Sequence, residues 1–260
     1  MPDPPSYRPL GLPFTELQTI DSTNNYALTQ IHAGLAQHGQ AIFAHEQTAA
    51  RGQRGKKWTS SKQENIALSI IIKPVSLAVL QQFQLSAAIA VAVLDFFRKY
   101  AGNNVRIKWP NDLYWKDRKA GGILIENILR IQNGGNEWQW AVAGIGININ
   151  QSQFSSDLPN AVSLKQITGK DFDLVVLAKE LCGTISNYYH ELVLKGFENI
   201  LSLYNSNLYK KDKKVKLKKG NRAFEAVIKG ISPGGKLIVQ HGTEEQFDFG
   251  EIEWVMNKVK

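Results

Sequence analysis

The middle of the chain is a succession of short strand patterns separated by turns, and this restricts the fold more than any other feature. Residues 105–109 alternate apolar and polar side chains, as a half-buried strand does. Pro110-Asn111-Asp112 then reverses the chain, and further strand-like runs follow at 119–129 and 138–148. Residues 133–136, Asn-Gly-Gly-Asn, predict a hairpin between these two runs. Consecutive strands joined by turns predict antiparallel pairing, which argues against a doubly wound nucleotide-binding fold.

The glycines near the end of this region do not form a dinucleotide-binding fingerprint. Gly144 and Gly146 have the spacing of its first two glycines, but the third glycine and the following helix are missing. We therefore give a Rossmann assignment little weight.

The flanking segments complete an α+β fold. Residues 65–73 are apolar on both faces, as in a buried strand, and helices are predicted at about 25–33, 77–100 and 173–194. From residue 213 onward, short alternating runs separated by turn residues predict a small barrel of about five strands. We expect a large mixed, mostly antiparallel β-sheet domain flanked by helices in residues 1–209, and a small C-terminal β-barrel in residues 210–260.

Composition is that of an ordinary globular protein, with 43% hydrophobic and 21% charged residues in 260. The one cysteine, Cys182, excludes an internal disulfide and a cysteine-cluster metal site, and the five histidines lack metal-ligand spacing. We expect no metal site built from protein ligands alone. No stretch has the pattern of a signal peptide or the length of a bilayer span, so we expect a cytoplasmic protein without membrane contact.

A net charge of +8 leaves a nucleic-acid-binding function open. Much of the excess lies in residues 210–219, which we interpret as a solvated strand edge that resists aggregation. The alternative is a non-enzymatic protein that binds nucleic acid through the basic C-terminal barrel.

Residues 46–58, here called the basic segment, carry two glycines and four basic side chains between two predicted strands. Glycine lets the main chain approach a ligand, and arginine presents paired donors to an anion. The segment is therefore a candidate anion-binding loop, although a solvated surface hairpin has the same composition.

Five motifs, taken in their order along the chain, resemble those of the biotin protein ligases (biotin–acetyl-CoA-carboxylase ligases). They are Ser22-Thr23-Asn24, the basic segment, Lys108-Trp109-Pro110-Asn111-Asp112, the run from Lys119 through Gly121-Gly122 to Glu126, and the run from Gly144 to Asn150. About twenty residues precede Ser22, too few for a helix-turn-helix module, so the resemblance is to the form without an N-terminal DNA-binding domain. It implies a catalytic domain like that of class II aminoacyl-tRNA synthetases and a C-terminal Src-homology-type barrel.

The resemblance also implies an activity. Such ligases use ATP and Mg²⁺ to convert biotin to biotinyl-5'-AMP, then transfer it to a lysine of a biotin carboxyl carrier protein domain. We expect that carrier as the partner, no specific DNA, and a monomer or homodimer. A lipoate-type acyl-protein ligase is the enzymatic alternative, although the arginine- and glycine-rich signature of those enzymes is not seen.

The chemistry requires two anions, a carboxylate and the α-phosphate, to be brought into contact, so cations must neutralise both. Arg51 and Lys119 are the candidate catalytic cations, and the Gly52 backbone N–H is a further candidate donor to an anion. Asp112 is the motif carboxylate that can receive a proton from an attacking lysine or orient it, unless it only stabilises the turn.

The resemblance assigns the binding residues. Those expected to bind biotin are Ser22, Thr23, Asn24, Gln47, Arg51, Gly52, Gln53, Lys119 and Gly122, and those expected near ATP are Arg51, Trp109, Asn111, Lys119 and Asn148. Two positions depart from the family pattern: Ala50 stands where many relatives have glycine, and Gln53 where some have arginine. Glutamine keeps a hydrogen bond to the adenylate but not the charge.

Overall fold

The computed structural model describes residues 9–74, 76–132 and 135–255. It contains a seven-stranded sheet in the order β1-β2-β3-β7-β6-β5-β4. The strands are β1 (Phe14–Ile20), β2 (Ala41–Gln47), β3 (Asn65–Ile72), β4 (Val105–Lys108), β5 (Asp112–Trp115), β6 (Arg118–Gln132) and β7 (Gly135–Asn148). Only β1 and β2 are parallel, and every other neighbouring pair is antiparallel. The predicted mixed, mostly antiparallel sheet is confirmed.

The three central strands align the sequence motifs side by side. In the pairing of β6 with β7, Gly122 lies opposite Gly146, and in the pairing of β3 with β7, Asn65 lies opposite Asn148. The hairpin between β6 and β7 was predicted at residues 133–136, of which 133 and 134 lie outside the described residues. Motifs far apart in sequence therefore meet on one part of the sheet.

Within the described ranges, five helices accompany the sheet: α1 (Thr23–His32), α2 (Gln82–Ala101), α3 (Leu164–Thr168), α4 (Leu174–Lys195) and α5 (Glu198–Ser206). The long helices α2 and α4 pack against each other, and their buried apolar residues join the core formed by one face of the sheet. The short helix α3 was not predicted; Ser163 caps it by accepting a hydrogen bond from the Gln166 N–H.

Helix α2 and the 3₁₀ turn before it, Val79–Ala101, are long and apolar enough to cross a membrane by length and composition alone. More than half of the window that passes this test is buried inside the protein. A helix with apolar residues all round is equally typical of a protein core.

The C-terminal strands form a five-stranded antiparallel sheet in the order β11-β10-β9-β8-β12. They are β8 (Lys214–Lys219), β9 (Arg222–Ile231), β10 (Leu237–His241), β11 (Thr243–Phe247) and β12 (Glu253–Trp254). The interpretation of the lysine-rich stretch as a strand edge was wrong, because β12 pairs with β8 at Leu217 and Lys218. Most lysines of β8 are instead exposed to solvent, while Leu217 between them is buried.

The proposed boundary between residues 209 and 210 stays a prediction. Buried side chains of the small sheet, such as Leu237 and Val239, belong to the same apolar cluster as those of α2. The small sheet therefore packs closely on the larger part of the chain.

Candidate active site

A cavity of about 700 Å³ lies between the large sheet, the basic segment and loops of the small sheet. Every residue predicted for the site lines it: Ser22, Thr23, Asn24, Gln47, Arg51, Gly52, Gln53, Trp109, Asn111, Asp112, Lys119, Gly122 and Asn148. The fold thus brings the five motifs to one place. The role of each residue stays a prediction.

One end of the cavity is formed by the start of α1. Ser22 caps this helix, and Thr23 and Asn24 begin it, whereas the sequence predicted a start near residue 25. The Thr23 N–H donates to Gln47 Oε1 at 2.8 Å, and the Thr23 hydroxyl lies 3.2 Å from the same oxygen. This hydrogen bond joins the end of β2 to the start of α1. The polar groups of Thr23 and Gln47 are thereby held in the cavity wall, where a polar ligand can bind them.

Asn24 is fixed from two sides. Its Oδ1 accepts a hydrogen bond from the Ser69 hydroxyl at 2.6 Å, and its Nδ2 donates to Glu126 Oε2 at 2.7 Å. A Cβ atom on Gly144 would lie 2.3 Å from Asn24 Oδ1, so the absence of a side chain at residue 144 makes room for the amide. Neither Ser69 nor Glu126 was predicted, although Ser69 is the hydroxyl residue within the otherwise apolar run of β3 residues 66–72.

The Trp58 ring lies on the glycines of the central strands. A Cβ atom on Gly146 would lie 2.7 Å from this ring, and one on Gly122 would lie 3.4 Å from it. Lys119 Nζ is 5.7 Å from the ring centroid, within the range of a cation–π contact. The last residue of the basic segment therefore reaches the centre of the cavity.

Both predicted catalytic cations are already paired with carboxylates. Lys119 Nζ is 2.6 Å from Asp112 Oδ1. Arg51 Nη2 donates to both oxygens of Glu126, at 3.0 and 2.8 Å. An anionic ligand that binds either cation must share it with, or take it from, a protein carboxylate.

The basic segment folds back on itself. Arg51 and Lys57 form an isolated antiparallel bridge, and the Gly52 N–H donates to Lys56 O at 2.6 Å. The Gly52 N–H, predicted to face an anion, is thus committed to a turn that must open or share its hydrogen for that role. Arg54, at φ 57° and ψ 40°, occupies the left-handed conformation at the tip.

Loops of the small sheet close the opposite side of the cavity. Trp109 Nε1 donates to Gly235 O at 2.9 Å, and the Trp109 ring makes an edge contact with Phe249, centroid to centroid 6.0 Å. Arg54 donates to Gly250 O at 3.1 Å and lies over the Phe249 ring at 5.3 Å. These C-terminal contacts were not predicted, because the segment carries no motif.

Lys108, a motif residue for which no role was predicted, also lines the cavity. Its ammonium lies 5.1 Å from the Tyr114 ring centroid and 5.4 Å from that of Trp254. Burial lowers the pKa of Lys108 to about 8; Asp112 opposes this shift and the charge of Lys119 adds to it. A proton on Lys108 is therefore held less firmly than on an exposed lysine.

Two buried amides complete the site. Asn111 Nδ2 donates to Ile123 O, and Asn148 Nδ2 donates to Val162 O at 3.1 Å. Because each amide nitrogen faces a backbone carbonyl, each amide oxygen is the atom available to a ligand.

Comparison with known proteins gives two family matches. Residues 16–148 match the biotin/lipoate A/B protein ligase family, and residues 212–254 match the biotin protein ligase C-terminal domain. The first match contains all of the predicted site residues.

Individual relatives agree with these matches. The bifunctional ligase/repressor BirA of Salmonella typhimurium is 32% identical over 239 residues, which cover 91% of this chain and 72% of the relative. The biotin–[acetyl-CoA-carboxylase] ligase of Paracoccus denitrificans is 29% identical, covering 86% of this chain and 92% of the relative. Among solved structures, the biotin protein ligase from Aquifex aeolicus in complex with biotin and ATP superposes with a TM-score of 0.76 at 24% identity, covering 92% of this chain and 97% of that one. At that identity the superposition shows the fold alone.

Proposed function

The chain belongs to the biotin/lipoate A/B protein ligase family, and we propose that it is the enzyme that activates biotin as biotinyl-5'-AMP and transfers it to a lysine of a biotin carboxyl carrier protein domain. The observation that carries this proposal is the convergence of the five motifs on one cavity of about 700 Å³. A cavity of that size is within the range for small-molecule sites. The Paracoccus denitrificans relative is named as a ligase of biotin and acetyl-CoA carboxylase, and we propose the same classes of substrate for this chain.

Biotin binds with its ureido group at the start of α1. Thr23, Asn24 and Gln47 provide hydroxyl and amide groups there, close to the bare backbone of Gly144. The valeryl chain runs beside the Trp58 ring, which occupies the space left by the missing side chains of Gly122 and Gly146. The carboxylate then lies near Lys119.

In the first step, the biotin carboxylate attacks the α-phosphorus of ATP, the mixed anhydride bond forms, and pyrophosphate leaves. Arg51 and Lys119 neutralise the two anions that this attack brings together. Each must turn from its carboxylate partner, Glu126 or Asp112, toward the ligand or be shared with it.

In the second step, the acceptor lysine amine attacks the acyl carbon, the amide C–N bond forms, and AMP leaves. Asp112 takes up or orients the proton that the amine loses. Lys119 remains beside the phosphate of the departing AMP. Asp112 is released for this task when Lys119 turns to the ligand.

The Mg²⁺ that accompanies ATP would be held largely by the phosphates of the substrate. The described residues include no group of three His, Cys, Asp or Glu side chains that could hold a metal by themselves. The amide oxygens of Asn111 and Asn148 suit an ion that prefers oxygen ligands and is bound largely through substrate phosphates. When bound, the ion neutralises phosphate charge during adenylation.

Biotin-dependent pyrophosphate release from ATP and Mg²⁺ is the test of this function. We expect release with biotin, none without it, and transfer of biotin to a purified carrier domain. The matched control replaces biotin with lipoate. Release with lipoate but not biotin would show a lipoate-type ligase instead, and retention on RNA at physiological salt without either activity would favour the nucleic-acid-binding alternative.

A further inference from the structure

Glu126 links two residues of the site that are far apart in sequence. One of its oxygens, Oε2, accepts hydrogen bonds from Arg51 Nη2 at 2.8 Å and from Asn24 Nδ2 at 2.7 Å. The other, Oε1, accepts a second bond from Arg51 at 3.0 Å. One carboxylate therefore joins the polar end of the cavity to the basic segment.

Glu126 acts from outside the cavity. Arg51 and Asn24 belong to the cavity lining, whereas Glu126 does not. Its side chain is 25% exposed, and it projects from β6, one of the central strands of the large sheet. It is thus placed to orient groups that touch a ligand without touching the ligand itself.

The part of the basic segment from Ala50 to Trp58 has few other side-chain attachments. Among the described residues from Ala50 to Trp58, the side-chain hydrogen bonds to partners outside the segment are those of Arg51 with Glu126 and of Arg54 with Gly250 O. Only the first of these attaches to the large sheet. The position of the Arg51 guanidinium over the cavity therefore depends on Glu126.

The same carboxylate is the nearer of two acceptors that orient the Asn24 amide; the other is Leu124 O, 3.4 Å from Asn24 Nδ2. Because Oδ1 accepts from the Ser69 hydroxyl, Nδ2 must point the other way, and Glu126 Oε2 receives it. An ionised carboxylate is a stronger acceptor than a neutral amide oxygen, so it holds both donors more firmly.

We infer that Glu126 is a positioning residue for adenylation: it holds Arg51 and Asn24 in a fixed relation, so that the cation and the ureido-binding amide engage the same biotin molecule. The inference rests on the proposed function. A carboxylate at residue 126 is required because it accepts from a guanidinium and an amide at the same time. A neutral glutamine keeps the size of the side chain but attracts the guanidinium less strongly.

The test compares Glu126→Gln with the wild type in biotin-dependent pyrophosphate release. We expect the KM for biotin to rise and kcat to fall, together lowering kcat/KM about tenfold to a hundredfold, since small misplacements of positioned groups have effects of this order. The KM for ATP should change less, because Glu126 contacts two residues expected to bind biotin, Asn24 and Arg51, but of those expected near ATP it contacts Arg51 alone.

A double-mutant cycle separates positioning from a general structural effect. In an Arg51→Ala background, Glu126→Gln should cost much less than in the wild type, because the guanidinium that it positions is already gone. The matched control is Glu180→Gln, since Glu180 also accepts from two donors, Lys99 at 2.8 Å and Tyr100 at 2.6 Å, and is 30% exposed, but lies outside the cavity lining. It should leave both KM values unchanged.

The outcomes are distinct. Equal kcat/KM for biotin in Glu126→Gln and the wild type, or full additivity with Arg51→Ala, would overturn the inference while leaving the enzyme a biotin ligase. A wild type without biotin-dependent release would instead reject the proposed function. If Glu126→Gln does not fold, as judged by its unfolding transition, Glu126→Asp, which keeps the charge on a shorter side chain, takes its place. Selective loss of biotin affinity in Glu126→Asp would support the inference, and unchanged affinity would contradict it.

Discussion

Asp112 Oδ1 lies 2.6 Å from Lys119 Nζ, so the carboxylate assigned to the second step and the amine assigned to the first share one ion pair. The two residues lie on β5 and β6, neighbouring strands of the large sheet. Changing one of them alters the environment of the other, and the two steps must therefore be measured separately.

Lys119→Ala should slow adenylate formation about 10²–10³-fold, the effect of removing one preorganised donor. Asp112→Asn should leave adenylate formation nearly intact and slow transfer to the acceptor lysine. Single-turnover measurements of pyrophosphate release and of carrier biotinylation separate the steps. If Asp112→Asn abolished the first step while Lys119→Ala spared it, the assigned roles would be reversed.

Gly146→Ala should weaken biotin binding about tenfold or more, because the new methyl group would lie 2.7 Å from the Trp58 ring and displace it into the cavity. Calorimetric titration with biotin measures the change. Gly183→Ala is the control, since no atom lies within 4 Å of a Cβ at that position of α4. Unaltered affinity in Gly146→Ala would mean that the ring moves away at no cost.

Lys108→Met should change how stability depends on pH. Burial lowers the pKa of Lys108 to about 8 from 10.5, so between these values the unfolded chain binds more protons than the folded protein. The wild type therefore gains unfolding free energy as pH rises through this window, while Lys108→Met lacks this contribution.

Denaturant unfolding at pH 7, 9 and 10 measures how the unfolding free energy depends on pH. The stability difference between Lys108→Met and the wild type should be constant below about pH 8 and shift in favour of the wild type above it. The nearby charges of Asp112, Lys119 and Lys56 are present in both proteins. The exposed Lys195→Met serves as control, and a pH-independent difference for Lys108→Met would contradict a buried, easily deprotonated amine.

Phe249→Ala should raise the KM for ATP about threefold to tenfold and leave the KM for biotin unchanged. The ring contacts Trp109 and the Arg54 guanidinium on the side of the cavity assigned to the nucleotide, and an aromatic edge contact contributes on the order of 1 kcal/mol. Steady-state pyrophosphate release gives both constants. Glu244→Ala, an exposed position on β11, is the control. A change in biotin KM alone would place the nucleotide elsewhere.

Much of the fold could be predicted from local pattern. The β-branched run of β3 and the turn at Pro110 and Asn111 specify a buried strand and a hairpin within a few residues, so tertiary context was not needed. One element, α3, was too short for such a pattern, with five residues. Local pattern predicted about five C-terminal strands but not their order in the sheet, which is why β8 was taken for an edge strand.

The site was predictable where a motif supplied the residue, and not where packing did. Ser22, Lys119 and Gly122 lie in motifs, and the fold brings them to one cavity. Glu126 also lies in a motif, but its pairing with Arg51, like the contacts of Phe249, depends on how the basic segment meets β6 and the small sheet, across 75 residues for Arg51 with Glu126. No local pattern encodes such a contact, because it follows from the relative placement of separate elements.

The missing side chain at Gly144 limits how this protein can be redesigned. A Cβ at residue 144 would lie 2.3 Å from Asn24 Oδ1. A library that randomises residue 144 alone therefore yields variants in which the start of α1 is displaced, and these variants bind no new ligands. Residues 24 and 144 have to be varied together, whereas residue 47 can be varied alone among side chains that keep an acceptor for the Thr23 N–H and hydroxyl. Selection for ligands with larger polar heads should therefore recover changes at residue 47 in single-site libraries, and changes at 24 and 144 only as pairs.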